Sequence, residues 1–451
     1  MNTVAHSVGD LSADLLPGLY KIRVRNGPGV EEKLISLDRD LFVDIQPPPI
    51  FSPIPLAGTT RSHEYHMLRA MNASRSPLHD FGQGAGLFVF CREWTTSNQG
   101  ASPNPATGIS LADENGNQLL DLGSLAVETP NDHSVAMCAT VAPGSYRLRL
   151  TQSGGTVTER ALFASPGCQT QIFILLSPPT WSSGPSLPDI AGGAVIISPK
   201  FEFDPQDRRT QLGEIARYAL TQKRRVLSDQ LRLEIVDEKF DDPMLGLLGA
   251  HLVLRDEPEN VELFETVTNN LLRLLGPDHP DLRALCLRRK NPLPSVPRAL
   301  DTPPMLRASW DITVSVSLED PSSFPEAGGV MEIADKVIPT GSWLVWRRDP
   351  IVKSASGSSA GSSNALAQSL EEFIAARARQ EASRRADDQG VFGRLSSSLF
   401  DLISNSFDKL RGKPQPKPPM PTLSTEDREE LARVLGIPGP LLNSVLKKIF
   451  D

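Results

Sequence analysis

Two matching stretches decide the N-terminal fold: PGLYKIRV at residues 17–24 and PGSYRLRL at residues 143–150. In each, a Pro-Gly turn precedes a strand in which Tyr and aliphatic residues alternate with Arg or Lys. A second Gly-containing turn, a glutamate (Glu32 or Glu159) and another apolar strand follow. The pattern predicts two similar units built on antiparallel, half-buried hairpins, with return strands over Lys33 to Ile45 and Arg160 to Leu176.

The repeated units resemble the small β-sandwich modules of the PEGA and carboxypeptidase-regulatory-like families. That resemblance implies accessory binding or spacer units and favours binding over catalysis. Between the two copies, Gly86 to Arg92 and Gly108 to Asp121 are predicted as further strands. We therefore expect a β-sandwich-like region over residues 1–177, followed by a linker at 178–192, where Pro, Ser and Gly are abundant.

Beyond this linker the spacing of apolar residues changes from about two to about 3.6, which is typical of helices. Helices are predicted over 205–224, 228–240, 243–255 and 260–275, with starts at Asp242-Pro243 and Glu257-Pro258. The string GPDHPD at 276–281 is similar to the inter-repeat turn of tetratricopeptide proteins. Alternation over Ile312 to Leu318 and the segment GSWLVW at 341–346 predict strands, so residues 193–350 are expected to form a mainly helical domain with terminal strands.

The C-terminal hundred residues read as a tethered arm. A Ser/Gly-rich linker at 351–364 is followed by charged and amphipathic helices at 365–411, a Pro-rich linker at 412–423 and a helical hairpin at 424–451. The predicted fold class is α+β and multidomain: an N-terminal β-sandwich-like region, a central helical domain with a small β element, and tethered C-terminal helices.

The strongest functional signal is an amphipathic helix predicted between Gly390 and Lys413. Its large apolar residues fall within one half of a helical wheel, whereas Arg394, Asp401, Asp408 and Arg411 fall on the other half. Such a face must be buried against something, and the flanking linkers favour an external target over the body of the protein. The residues predicted to dock on a protein partner or a membrane are Phe392, Leu395, Leu399, Leu402, Ile403, Phe407 and Leu410.

Several groups of residues could suggest a catalytic or metal site, but a structural role explains each of them better. His63 and His66 flank Glu64 but lack the i, i+4 spacing of a zinc helix, which favours a polar helix surface. Asp132 and His133 precede Cys138, which sits in an apolar alternation typical of a buried strand. The glycines at 82–86 predict a turn or bulge, His279 a turn, and Asp241 with Asp242 a helix N-terminus. We therefore predict neither a catalytic residue, nor a metal site, nor a cofactor.

Length, net charge and composition limit the kinds of molecule that this protein is expected to bind. The 451 residues suffice for two or three domains, and a net charge of −8 argues against affinity for nucleic acid. A secretory signal and a membrane-spanning run are both missing from the sequence pattern, which favours a cytoplasmic protein. The cysteines Cys91, Cys138, Cys168 and Cys286 lack paired spacing, so buried thiols are expected.

The sequence favours a non-enzymatic adaptor or regulatory protein. The stretch DPMLGLLGAH at 242–251, together with WLVW at 343–346, resembles uncharacterised bacterial proteins associated with caspase-like or trypsin-like protease modules of conflict systems. The resemblance implies a partner or substrate of a protease in bacterial signalling or defence. Two alternatives stay open: a membrane-acting effector that uses the 390–413 helix, and a hydrolase with an unrecognised site.

Overall fold

The computed structural model describes residues 4–7, 11–26, 29–43, 52–57, 59, 62–93, 104–127, 133–152, 155–177, 187–221, 241–325, 328–338 and 341–348. The amphipathic arm, its two linkers, the terminal helical hairpin and the helix predicted at 228–240 lie outside these residues. The chain divides into two compact units, one of Met1–Ile312 with Ile338–Asp349 and the other of Thr313–Val337 with Pro350–Asp451.

The fold class is α+β. In chain order the strands are β1 (Gly18–Asn26), β2 (Gly29–Leu37), β3 (His79–Phe81), β4 (Ala85–Arg92), β5 (Ile109–Asp113), β6 (Gln118–Asp121), β7 (Ser134–Val141), β8 (Gly144–Thr151), β9 (Val157–Ala164), β10 (Gln169–Ser177), β11 (Leu187–Pro188), β12 (Ala194–Ser198), β13 (Val337–Ile338) and β14 (Val345–Arg348). The helices are α1 (Glu64–Ser74), α2 (Arg208–Thr221), α3 (Pro243–Asp256), α4 (Val261–Leu275), α5 (Pro280–Cys286), α6 (Arg307–Glu319) and α7 (Gly329–Ile333). Two short 3₁₀ turns cover Leu122–Ser124 and Pro321–Ser323.

The strands form one two-stranded sheet and two six-stranded sheets. β1 pairs with β2, while a mixed sheet has the order β11-β10-β4-β7-β3, with β12 also on β10. The other large sheet has the order β13-β14-β9-β8-β5-β6. Strand β4 is buried along its whole length, as its continuous run of apolar residues predicts for a strand covered on both faces. Its Phe88 and Phe90 join Phe173 in an aromatic core that also packs against α1.

Two predicted return strands are shorter than the pattern suggested. Strand β2 ends at Leu37 rather than at Ile45. The stretch from Arg160 to Leu176 is divided between β9 and β10, which lie in different sheets. The chain leaves β9 through a turn at Gly167, whose φ of 70° suits a residue without a Cβ atom. The segment predicted as a linker, 178–192, contains β11, and both β11 and β12 pair with β10.

Where the structure describes the helical part, it agrees with the sequence except at two places. Asp242 caps α3 by accepting a hydrogen bond from the Leu245 backbone N–H at 2.7 Å, as its position before Pro243 predicts. The start predicted at Glu257-Pro258 is wrong, because α4 begins at Val261. Asn260 is the residue whose side chain caps that helix, accepting from Leu263 at 3.3 Å.

The strand predicted over Ile312 to Leu318 is also wrong, because these residues belong to α6. Their alternating β-branched residues favour a strand locally, and burial overrides that preference. Trp310, Thr313, Val314 and Ser317 are all buried along the helix. The first turn is held from outside the helix, since Asp281 accepts hydrogen bonds from the backbone of Met305 and Leu306 at 3.0 and 2.9 Å.

Candidate functional site

The N-terminal hairpin, residues 18–37, has a definite internal geometry. Tyr20 lies opposite Ile35 and Arg23 lies opposite Glu32 in the β1–β2 register. The Tyr20 hydroxyl donates to the Leu16 carbonyl at 2.6 Å, which fixes the entry of the chain into the strand. Arg23 Nε donates to Glu32 Oε1 at 2.6 Å, and Lys21 Nζ donates to the other carboxylate oxygen at 3.0 Å.

The inner hairpin, formed by β8 and β9, repeats this geometry residue by residue. Tyr146 lies opposite Leu162 and Arg149 opposite Glu159. The Tyr146 hydroxyl donates to the Ala142 carbonyl, again four residues earlier, at 2.8 Å. Arg149 Nε donates to Glu159 Oε1 at 2.6 Å, and Arg147 contacts Oε2 at 3.4 Å. Tyr20 and Tyr146 therefore occupy matching strand positions, as the repeated motif predicts.

The surroundings of the two hairpins differ. Strand β8 pairs with β5 and strand β9 pairs with β14, so both edges of the inner hairpin are covered. Within the described residues, β1 and β2 pair only with each other. Glu159 is fully buried, whereas the side chain of Glu32 is 40% exposed. In the part of the chain that the structure describes, similar sequences thus form one hairpin inside a sheet and one hairpin with no strand paired to its outer edges.

The N-terminal hairpin also presents apolar side chains to solvent. Leu19 is 72% exposed and Leu34 is 63% exposed, and the register places both on one face of the hairpin. The flanking chain adds Leu11, Leu16, Leu41 and Phe42, the last 93% exposed. Single exposed apolar residues are ordinary, but exposed apolar residues that share one face, as Leu19 and Leu34 do, are typical of an interaction surface.

The electrostatics of the N-terminal hairpin suit a polar partner group beside this apolar surface. Hydrogen bonds from Lys21 and then from Arg23 hold the pKa of Glu32 below its usual range. The carboxylate is therefore ionised at neutral pH and accessible. It can accept further hydrogen bonds, because a carboxylate has about four lone-pair positions.

A serine, a histidine and an aspartate meet inside the protein, although sequence spacing gave no sign of it. His251 Nε2 lies 2.9 Å from Ser309 Oγ, and Ser309 also hydrogen-bonds with Asp281. The aspartate contacts the serine rather than the histidine, which is not the order of a hydrolytic triad. All three residues are buried, and burial lowers the pKa of His251 to about 3. This group therefore joins α3, α5 and α6 as a buried hydrogen-bond network in which the histidine is uncharged at neutral pH.

The histidines and cysteines noted in the sequence also have structural roles. Cys138 is buried in β7, its thiol donates to the Ser74 carbonyl at 3.3 Å, and burial raises its pKa to about 11. Five residues of extended chain, roughly 16 Å, separate it from His133, which pairs with Glu93 at 3.6 Å. Asp132 lies outside the described residues. All four cysteines are free thiols; Cys286 is half-buried and the other three are buried.

His63 and His66 do not form a polar helix surface as predicted. His63 is at the N-terminal cap position of α1, and His66 is buried under the ring of Tyr65, with ring centres 4.4 Å apart. His279 precedes α5 and packs edge-on against Phe163 at 5.0 Å. The part of the chain that the structure describes contains no cluster of three or more His, Cys, Asp and Glu residues suited to a metal ion.

A second polar cluster lies beside α2. Arg217 donates to both oxygens of Glu214 at 2.7 and 2.9 Å, and Ser52 donates to one of them at 2.7 Å. The adjoining cavity, lined also by Asp242 and Met244, measures about 10 Å³, which is about the space one water molecule needs. This cluster satisfies buried charges and leaves no room for a small-molecule substrate.

The predicted docking residues Phe392, Leu395, Leu399, Leu402, Ile403, Phe407 and Leu410 lie outside the described residues, so that site stays a prediction. No described helix is both long enough and apolar enough to cross a membrane. Comparisons with protein-family models, with curated proteins and with solved structures each found no match.

Proposed function

We propose that this protein is an adaptor or regulatory protein whose N-terminal hairpin captures a protein partner. The observation that carries the proposal is the exposure of Leu19 and Leu34 on a hairpin whose two outer edges pair with no strand of the described residues, with Phe42 exposed in the chain that follows. Open edges and exposed apolar residues are the two features that a sheet offers to an added polypeptide.

The internal repeat supports this reading. The inner hairpin uses the same residues and the same register, and it is stabilised by strands on both of its edges. Its Tyr146, Leu148 and Leu162 are buried, whereas the equivalent Tyr20, Ile22 and Ile35 are each only half-buried. Among the described residues, the N-terminal hairpin thus resembles the inner one without its covering strands, and we take a partner as the source of the cover.

Three groups of buried polar side chains support the same proposal, because hydrogen bonds give them a structural role. Ser309 links His251 to Asp281, Cys138 donates to a helix end, and Glu214 neutralises Arg217. The partnership with a protease and the setting in a bacterial defence system, which the sequence resemblance implies, stay part of the proposal and await identification of the partner.

Site-specific photocrosslinking in cells that naturally contain the protein tests the proposal. A photoreactive residue at Phe42 should give one discrete crosslinked product, and Leu19→Asp or Leu34→Asp should abolish it, because a charge on this face opposes burial against a partner. Leu78, which is 82% exposed elsewhere in the same unit, supplies the matched control. Crosslinking that persists in both hairpin variants, or that is lost equally in Leu78→Asp, would refute the proposal.

A further inference from the structure

The inner hairpin shows what kind of strand completes such a module. Strand β14 lies antiparallel on the outer edge of β9, with Trp346 opposite Glu159 and Arg348 opposite Val157. Trp346 Nε1 donates to Glu159 Oε2 at 2.9 Å, and Arg348 lies 3.5 Å from Oε1. The added strand therefore contacts the buried carboxylate through an indole N–H and a guanidinium.

The same segment recognises the neighbouring residue of β9 on the other face. The guanidinium of Arg160 lies 4.3 Å from the ring centre of Trp343, a cation–π contact in a fully buried place. Burial, followed by the charge of Arg217, lowers the pKa of Arg160 to about 9, so an aromatic face is a suitable neighbour for this weakly solvated cation. Residues 343–348, which have the pattern Trp-x-x-Trp-x-Arg, thus contact both members of the pair Glu159-Arg160.

The N-terminal hairpin carries the equivalent acid–base pair, Glu32-Lys33, on the outer edge of β2, where no strand of the described residues pairs. The registers place Glu32 opposite Arg23 as they place Glu159 opposite Arg149, so Lys33 corresponds to Arg160. Both side chains are exposed. We propose that the outer edge of β2 is a docking edge for an extended segment of another protein that carries the pattern Trp-x-x-Trp-x-(Arg or Lys). This inference rests on the proposed function and names its mode of recognition: antiparallel addition of a strand to β2.

The occupant comes from another protein because this chain has no second segment of the required chemistry. Among its five tryptophans, Trp343 and Trp346 form the one Trp-x-x-Trp pair. That pair is engaged within its own sheet, where Trp346 meets Glu159 and Trp343 covers Arg160. Moving it onto the β2 of a second copy would uncover a buried carboxylate and a buried guanidinium, which is costly.

A fluorescein-labelled peptide with the sequence of residues 341–348, GSWLVWRR, is the probe, and its binding to the full chain is measured by fluorescence anisotropy. We expect saturable binding that Glu32→Gln weakens by about tenfold, because the variant loses charge-assisted hydrogen bonds to the peptide. The matched control is Glu202→Gln: Glu202 is an exposed glutamate that accepts from Arg75 Nε at 3.0 Å, and this variant should bind as the unchanged protein does.

Backbone recognition is tested with two N-methylated peptides. One carries N-methyl groups at the residues equivalent to 343, 345 and 347, and the other at those equivalent to 344, 346 and 348. In an antiparallel ladder alternate N–H groups face the neighbouring strand, so one peptide should lose binding and the other should retain it. A peptide in which the residue equivalent to Trp346 is Phe should bind about tenfold more weakly, since it lacks the indole donor.

Peptide binding that is unchanged by Glu32→Gln would overturn the inference. A peptide that displaces β14 from β9 would bind the unchanged protein and this variant equally well. Equal binding of the two N-methylated peptides would overturn it as well. If the peptide fails to bind while crosslinking at Phe42 still depends on Leu19 and Leu34, the docking mode is wrong and the proposed function stands. If that crosslinking is also absent, both fail.

Discussion

At the scale of single residues, burial decides what a titratable group does in this protein. Asp242 and Asp281 are both aspartates at the start of helices, and both accept backbone hydrogen bonds. Burial raises the pKa of each to about 6, despite those hydrogen bonds. Sequence spacing predicts the capping role of Asp242, because the residue precedes Pro243. It does not predict the role of Asp281 toward Met305 and Leu306, since that contact joins residues far apart in the chain.

The raised pKa of Asp242 predicts a pH-dependent stability difference. Its folded-state pKa of about 6 lies above the ordinary 3.8, so its contribution is fully present below about pH 4 and is lost as the pH rises through 6. Asn keeps the cap and removes the titration. Relative to the unchanged protein, Asp242→Asn should therefore gain stability between pH 4 and pH 7, as measured by urea unfolding at several pH values. Asp311→Asn, at an exposed site, serves as the control; a difference that stays constant with pH would contradict this assignment.

At the scale of elements, the local sequence pattern was sufficient to predict an element wherever its formation does not depend on the strands that pack beside it. The Pro-Gly turn, the tyrosine and the alternating basic residues predict both hairpins, and both form in the same register. The pattern could not show that β9 and β10 would lie in different sheets, because that depends on long-range pairing with β4 and β14. It failed for α6, where alternation favoured a strand and buried contacts of Trp310 and Val314 favour a helix. The sequence also could not predict that the outer edge of β2 pairs with no described strand, since the two copies look alike in sequence.

The two equivalent glutamates give a paired test of this difference in environment. Glu159→Gln should lower the free energy of unfolding by roughly 3 kcal/mol, because it leaves Arg147 and Arg149 beside a neutral group in a buried place. Glu32→Gln should leave the free energy of unfolding unchanged within error, because its salt bridges are exposed to solvent. Denaturant unfolding of the two variants measures both values. Equal losses would mean that the N-terminal hairpin is covered in the isolated protein.

At the scale of the whole molecule, the described residues hold buried cores, and the exposed large apolar side chains are concentrated near the N-terminus. Phe42, Leu16 and Leu19 are among the most exposed large apolar residues that the structure describes. The sequence predicts a second apolar surface at residues 390–413, which lie outside the described part of the chain. The proposed adaptor function requires at least one exposed surface that a partner can cover, and the N-terminal hairpin is the surface we propose for it. The predicted arm would supply another, so the two can be tested separately.

The predicted arm either binds an external target or packs on the body of the protein, and Leu399→Asp distinguishes these two cases. Its seven apolar side chains could contribute on the order of 10 kcal/mol of gross burial, less the entropy of ordering the linkers, so exposure to water is unfavourable. If the arm serves an external target, Leu399→Asp should leave the melting temperature unchanged and abolish binding to a partner or to vesicles. If the arm packs on the protein's own body, Phe400→Asp, near the edge of the apolar stripe, should have a mild effect on stability, while Leu399→Asp at its centre should lower it. We favour the external target because linkers on both sides give the arm a reach that an internal helix would not require. A large loss of thermal stability in the isolated Leu399→Asp protein would show instead that the arm packs on its own body, and the hairpin would then be left as the surface through which a partner is recognised.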